Sequence, residues 1–229
     1  MSEPTTIECD DLDATIEHYK QELGYRLDVI FPADSPREAI LSVRPAVAGG
    51  LTPDVSTIKE TESVRLVLSG SDVQPPATAG GTDTDADGTD WVTGRAGMEY
   101  RDLIPDRIGG KVIASHIRLL EDGPVADYVH YHKIEFQMIY CLKGRIQVVY
   151  EDQGPPFWLE QDDCVVQPPE IRHRVLFAER QAEVLEVTMP AEHETWVEHD
   201  MTLPNSIVNK DRLFNGQKFS LQRAATESK

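Results

Sequence analysis

The residues best suited to chemistry are histidines: four of the seven in the chain lie between positions 116 and 173. The densest stretch runs Asp127-Tyr128-Val129-His130-Tyr131-His132 and on to Gln137. In a β-strand, residues i and i+2 leave the same face, so His130 and His132 would stand side by side. Two imidazoles at that spacing can chelate one divalent ion, and His173, in the later run Pro-Pro-Glu-Ile-Arg-His-Arg, can add a third nitrogen. An HxH pair by itself fits plain strand decoration equally well. Tyr128 shares the histidines' parity; it either lines the same cavity and donates a hydrogen bond to a substrate or packs as a core tyrosine. Cys141 shares the parity of Gln137 and is read as a small apolar group inside. His116 and Arg118 oppose the apolar parity of their strand and either line the pocket or face solvent. Arg172 and Arg174 flank His173 with opposite parity and are expected to meet acidic residues outside. His193 and His199, in the polar run PAEHETWVEHD, are read as exposed.

The spacing around these residues resembles that of the cupin superfamily. The first cupin motif is matched by Gly123, six residues, His130-x-His132, four residues, Gln137, six residues and Gly144. Only the Glu of that motif differs, replaced by Gln137. The second motif aligns on Asp162, Pro168, Glu170, His173 and Phe177: its Pro and His are matched, and its two Gly and its Asn are not. The resemblance covers roughly residues 98–190. It implies a small jelly-roll β-barrel with a metal held by His130, His132 and His173, and with Gln137 in the fourth family position.

The Gln carries a physical consequence. Glu would bring a negative charge, whereas an amide is neutral. Three neutral imidazoles and an amide would leave the ion its full charge, making it a strong Lewis acid suited to an anionic bidentate small molecule, an enolate, β-diketonate or 2-hydroxycarboxylate. Three-His iron sites occur among cupin dioxygenases, so the resemblance implies Fe2+ first, with Ni2+, Mn2+ and Zn2+ open. A dioxygenase acting on a small oxygenated organic compound is the leading expectation, with catalytic roles for Gln137 and Tyr128. A non-catalytic binding or sensor barrel and a metal-dependent isomerase or lyase are the alternatives, because one fold hosts all three.

The elements that must position these residues are short strands. GKVIASHIRLL, VADYVHYHK, EFQMIYCL, RIQVVYED, CVVQPP, RHRVLFA and AEVLEVTM are rich in β-branched and aromatic residues and are separated by turn-forming clusters. Such a series predicts a sandwich or barrel over 97–229, with no helix before the C-terminal extension. Residues 71–96 read as an acidic Pro/Gly tether, because 71–90 hold almost nothing apolar. Within it Asp83, Asp85, Asp87 and Gly88 imitate the opening of a calcium loop. Position 12 of that loop is Gly94 instead of Glu and position 8 is Asp90 instead of an apolar residue, so a solvated tether is expected.

Residues 1–70 predict a separate α+β module of order βαβββ. TIEC is the first strand. Asp10 or Asp11 caps a helix whose apolar positions Leu12, Ile16, Tyr19 and Leu23 recur at helical spacing, and Gly24 stops it. YRLDVIF, REAILSV and VRLVLS follow as strands. The words DLDATIEHYKQELGYRLD and AILS resemble one module of the vicinal-oxygen-chelate (glyoxalase and bleomycin-resistance) superfamily. That superfamily pairs modules around a metal. This chain offers one module, with Pro4 near the usual His ligand position and no Glu on its last strand, which implies a degenerate module used for packing or dimerisation. His18 is read as a surface or packing residue.

Composition bounds the partners. The chain has 229 residues, 40 acidic and 22 basic, for a net charge of −18, and only 8 of the 22 cations are Lys. Such acidity repels phosphate backbones and excludes a nucleic-acid-binding role. It suits a salt-rich cytoplasm, where carboxylates stay hydrated and salt screens their repulsion. No apolar run matches a membrane span, and the acidic N-terminus has no signal core, so a cytoplasmic protein is expected. Cys9, Cys141 and Cys164 are odd in number and far apart, which predicts free thiols. The expected partners are a small-molecule substrate and a second copy of the chain, in a homodimer.

Overall fold

A computed structural model describes residues 3–43, 63–69, 91–93 and 98–224. Most of the expected tether and the whole calcium-like run lie outside the described residues. The chain divides into two compact units at residues 75 and 76.

The first unit follows the expected βαβββ order: β1 (Thr5–Cys9), α1 (Leu12–Gln21), β2 (Tyr25–Phe31), β3 (Glu38–Val43) and β4 (Ser63–Leu68). β1 pairs in parallel with β4, which pairs antiparallel with β3, and β3 with β2. Asp11 is the cap: its carboxylate accepts the Ala14 N–H at 2.9 Å, satisfying one of the donors that a helix start leaves open. The helix ends sooner than its apolar spacing suggests. Gly24 takes φ +72°, and Leu23, beyond the last turn, is half exposed. Leu12 and Ile16 pack with Ile30, Ala39, Leu41, Val64 and Leu66. Alternation of buried and part-exposed residues along β3 and β4 gives this sheet one buried face.

Among its described residues, the regular structure of the second unit is all β apart from one helical turn at Arg107–Gly110. Its strands are β5 (Val92–Thr93), β6 (Glu99–Asp102), β7 (Ile113–Leu119), β8 (Gly123–Pro124), β9 (His130–His132), β10 (Phe136–Lys143), β11 (Arg145–Tyr150), β12 (Phe157–Glu160), β13 (Cys164–Gln167), β14 (His173–Ala178), β15 (Ala182–Met189), β16 (Thr195–Val197), β17 (Leu213–Phe214), β18 (Gln217–Lys218) and β19 (Ser220–Gln222). All but β17 and β18, which pair with each other as a separate hairpin, form a jelly-roll barrel of two sheets. One runs β16-β9-β14-β11-β12, with β8 at the far end of β14; the other runs β19-β13-β10-β15-β7-β6-β5. Ile117, Cys141, Ile146, Val148, Leu159, Val165 and Val184 fill the space between the sheets.

Two features depart from the expected strand list. Trp91 belongs to the barrel unit. It is buried, its ring lies under the Arg118 guanidinium at 3.5 Å, and Val92–Thr93 pair with β6. The polar composition around it masked this contact. The described part of the C-terminal extension forms strands, with β19 paired to the edge strand β13. Among the described residues no helix is long and apolar enough to cross a membrane.

The motif positions explain themselves in the backbone. Gly144 joins β10 to β11 at φ +67°, and a Cβ there would meet the Ala182 Cα at 3.3 Å, so the turn requires glycine. Asp162 and Glu170, where the cupin motif has glycine, hold left-handed φ values of +69° and +62°. They keep the glycine conformation at a steric cost of about 1–2 kcal/mol each. Hydrogen bonds offset it. The Asp162 N–H donates to the Cys141 carbonyl and its carboxylate accepts from the Tyr140 hydroxyl, while Glu170 pairs with Lys133.

Candidate metal centre

His130 and His132 project from one face of β9, as the parity requires, and both are buried. His173 opens β14 directly opposite His130 in the antiparallel register. One ring nitrogen from each of the three lies within 4.8 Å of the others. The ring centroids stand 4.3 Å apart for His130 and His173 and 5.0 Å for His130 and His132.

Each ring is oriented by its Nδ1. That of His130 donates to the Tyr128 carbonyl at 2.8 Å, and that of His173 to the Ile171 carbonyl at 3.0 Å. A carbonyl only accepts, so these Nδ1 atoms carry the proton and the lone pair of each neutral ring sits on Nε2. His132 Nδ1 meets Thr195 Oγ1 at 2.9 Å. Register explains that contact, because Thr195 on β16 pairs with His132 on β9. Asp127, also buried, accepts the Val175 N–H at 2.9 Å and lies 3.6 Å from His130 Nδ1. Three Nε2 atoms thus turn toward one point, with backbone, hydroxyl and carboxylate partners fixing their rings, the usual build of a histidine metal site. The donor set and its geometry fit a divalent ion.

Across the barrel stands a row of neutral polar residues. Gln167 on β13 and Thr188 on β15 are the register partners of Gln137 on β10. All three are fully or almost fully buried. The Tyr150 hydroxyl on β11 donates to Gln167 Oε1 at 3.0 Å, linking the two sheets. Gln167 Nε2 then donates to Gln137 Oε1 and lies 3.4 Å from His173 Nε2. Burial, with a smaller contribution from Glu186, pushes the Tyr150 hydroxyl above its ordinary pKa, so it stays a donor. Tyr150 is also the register partner of His173 and stacks on it at 5.4 Å.

The remaining expected residues fall as follows. Tyr128 precedes β9, half-buried, with its ring edge-on to His130 at 5.7 Å; its carbonyl holds His130. Cys141 is buried, and burial raises its thiol to about 11. His116 contacts Glu183 and Arg101, and Arg172 meets Glu198 and Glu151. His199 is exposed. His193 departs from expectation: it is buried and edge-on to His132 at 5.2 Å. It lies between β15 and β16, where no strand parity reveals the buried side. Sequence reasoning also gave no role to Thr195, Gln167, Tyr150 or Asp127. Of these, Gln167 had a legible signal, since it shares the buried parity of Val165 on β13.

The cupin domain family model matches residues 117–188, a span that holds His130, His132, Gln137 and His173. No curated protein sequence matches the chain. Among solved structures, the chain is similar to KdgF from Halomonas sp., at 19% identity and a TM-score of 0.39 over 48% of this chain and 94% of that one. It is similar to an RmlC-like cupin from Shewanella frigidimarina, at 20% identity and 0.38 over 48% and 91%. It is also similar to oxalate decarboxylase from Bacillus subtilis at pH 4.6, at 19% identity and 0.36 over 52% and 32%.

Proposed function

We propose that the barrel unit binds one divalent metal ion through His130, His132 and His173, and that the protein is a ferrous dioxygenase acting on a small oxygenated organic anion. The observation that carries this reading is the set of three buried imidazoles with ring nitrogens within 4.8 Å of one another, in a barrel whose opposite sheet buries Gln137 where the cupin motif has a carboxylate. When bound, such an ion would supply Lewis acidity and oxygen chemistry. With neutral ligands it keeps its full charge and favours an anionic substrate. Both atoms of O2 would enter the product, so no outside reductant is required. In this reading Gln137 takes the fourth position and Tyr128, whose ring lies 5.7 Å from that of His130, contacts the substrate. Iron is preferred over nickel, manganese and zinc on the strength of the three-His set.

The test is anaerobic loading with Fe2+, followed by oxygen uptake with a panel of β-diketones and aromatic hydroxyacids. Uptake matched one to one by substrate loss supports the dioxygenase. Full iron occupancy with no uptake across the panel favours a binding protein, and conversion of a substrate without oxygen favours an isomerase or lyase.

The first unit supports a second, smaller proposal. Its βαβββ order and parallel β1–β4 pairing suit a single vicinal-oxygen-chelate module that serves homodimerisation. A monomer by light scattering at high salt would refute it. The charge of −18 supports a salt-rich cytoplasm, and thermal midpoints should climb from low to molar KCl.

A further inference from the structure

We infer that the barrel unit carries a second ligand site, a cavity beside the edge strands β12 and β19 that takes an aromatic carboxylate. The site is independent of the metal reading above. β12 ends one sheet of the barrel and β19 ends the other. A cavity of about 480 Å³, within the size range of small-molecule sites, is lined from both. Phe157 on β12, Leu221 on β19 and Phe219 just before β19 form its apolar wall, and none of His130, His132 and His173 lines it. The wall is preformed. Phe157 and Phe219 both pack on the buried Tyr150 ring, at 6.0 and 4.7 Å, and stand edge-on to each other at 6.4 Å. The β17–β18 hairpin, which brings Lys218, is pinned to the barrel by buried Phe214 and by the Gln217 amide, which donates to the Glu135 carbonyl at 2.9 Å. Fixed aromatic faces favour a flat apolar body at little ordering cost.

Charge supplies the other half of the ligand. The chain has 40 acidic residues against 22 basic, yet among the described residues this wall gathers Lys210, Lys218 and Arg223 and no acidic side chain. Lys210 has no ion pair among the described residues. Lys218 meets Asp211 at 2.8 Å, but the Asp211 side chain is 95% exposed, and such a surface pair is worth little. Arg223 spends Nη1 on Asp163 and the Trp158 carbonyl, with its guanidinium 5.5 Å from the centre of the Phe157 ring. Its Nε and Nη2 donate to nothing among the described residues. A ligand that satisfies this wall lays an aromatic body against the phenylalanines and turns a carboxylate to the cations. A neutral ligand leaves the charges uncompensated, and a bare anion leaves the rings in water.

Fluorescence titration of the full chain with naphthoate, in a chelating buffer that keeps metal off the histidines, tests this. One saturable site is expected, with neutral naphthamide and acetate each binding about tenfold more weakly or worse. Lys210→Glu reverses an exposed charge, so the thermal midpoint should hold. It should weaken naphthoate about threefold to tenfold, since reversal counts an exposed pair twice, and leave naphthamide unchanged. His130→Ala should bind naphthoate as tightly as the unaltered chain. No saturable binding to the unaltered chain, or equal binding to Lys210→Glu, would overturn the inference. Acetate binding as tightly as naphthoate would reduce the cavity to a bare charge site and overturn it as well. Loss of binding in His130→Ala would place the anion at the histidines and overturn it too. Because no metal is present, failure of the metal reading would leave this titration unaffected.

Discussion

The two sheets of the barrel treat buried polarity in opposite ways. In the sheet that carries the histidines, the inward polar groups have partners supplied by register: Thr195 opposite His132, the Tyr128 and Ile171 carbonyls two residues before their histidines, and Asp127 on the Val175 N–H. In the opposite sheet the row Gln167-Gln137-Thr188 is joined at one end to Tyr150 and ends in two buried polar atoms with no partner among the described residues. A satisfied row is rigid and pre-orients ligands, while an unsatisfied buried group costs free energy unless something completes it. The first sheet carries the histidines of the proposed metal site, and the second faces it with two buried polar atoms that lack a partner among the described residues.

Breaking the satisfied row should do most damage. Asp127→Ala leaves the part-buried Val175 N–H without its acceptor and is expected to cost about 1–3 kcal/mol in denaturant unfolding. It should also lower metal affinity by loosening His130. Thr195→Val keeps the β-branched shape but removes the acceptor of His132 Nδ1. Metal affinity should fall about 10–100-fold in a Co2+ titration.

The same substitution in the unsatisfied row should behave differently. Thr188→Val replaces a buried hydroxyl that has no partner among the described residues, so the metal-free protein should be unchanged or up to about 1 kcal/mol more stable. Metal affinity should not move. A loss of stability equal to that of Thr195→Val would erase the contrast between the sheets.

The smallest expected effect lies beside the edge strand β13 of the opposite sheet, at Asp163. Burial works to raise the Asp163 carboxyl, but N–H groups of Glu160 and Ala224 and the Arg223 guanidinium outweigh it and hold the pKa below its ordinary value. A depressed folded pKa adds stability above the unfolded value of about 4 and loses it as pH falls through the folded one. Asp163→Asn should therefore flatten the acid limb of the stability curve below about pH 5, with little change in metal binding.

Much of this was legible in the sequence because strands have a period of two. The parity of His130 and His132 and the burial of Cys141 follow from it directly. His173 was legible through the motif spacing, even though Asp162 and Glu170 stand where glycine is usual; backbone conformation survived the change of residue. The groups that orient the rings were not legible. Thr195 reaches His132 only through the pairing of β16 with β9, and register between distant strands is not written in either strand alone. The Tyr150–Gln167 link joins opposite sheets and is hidden for the same reason. Trp91 was hidden by its polar neighbours, and His193 by lying between strands.

The central claim is that His130, His132 and His173 hold one metal ion. Elemental analysis of the purified chain and of His130→Ala after identical loading with Fe2+ or Co2+ tests it most directly. The claim predicts about one ion per chain for the unaltered protein and loss of most of it in the variant, because chelation by a preformed site fails when one arm is removed. Full occupancy in His130→Ala would contradict it and reduce the HxH pair to strand decoration.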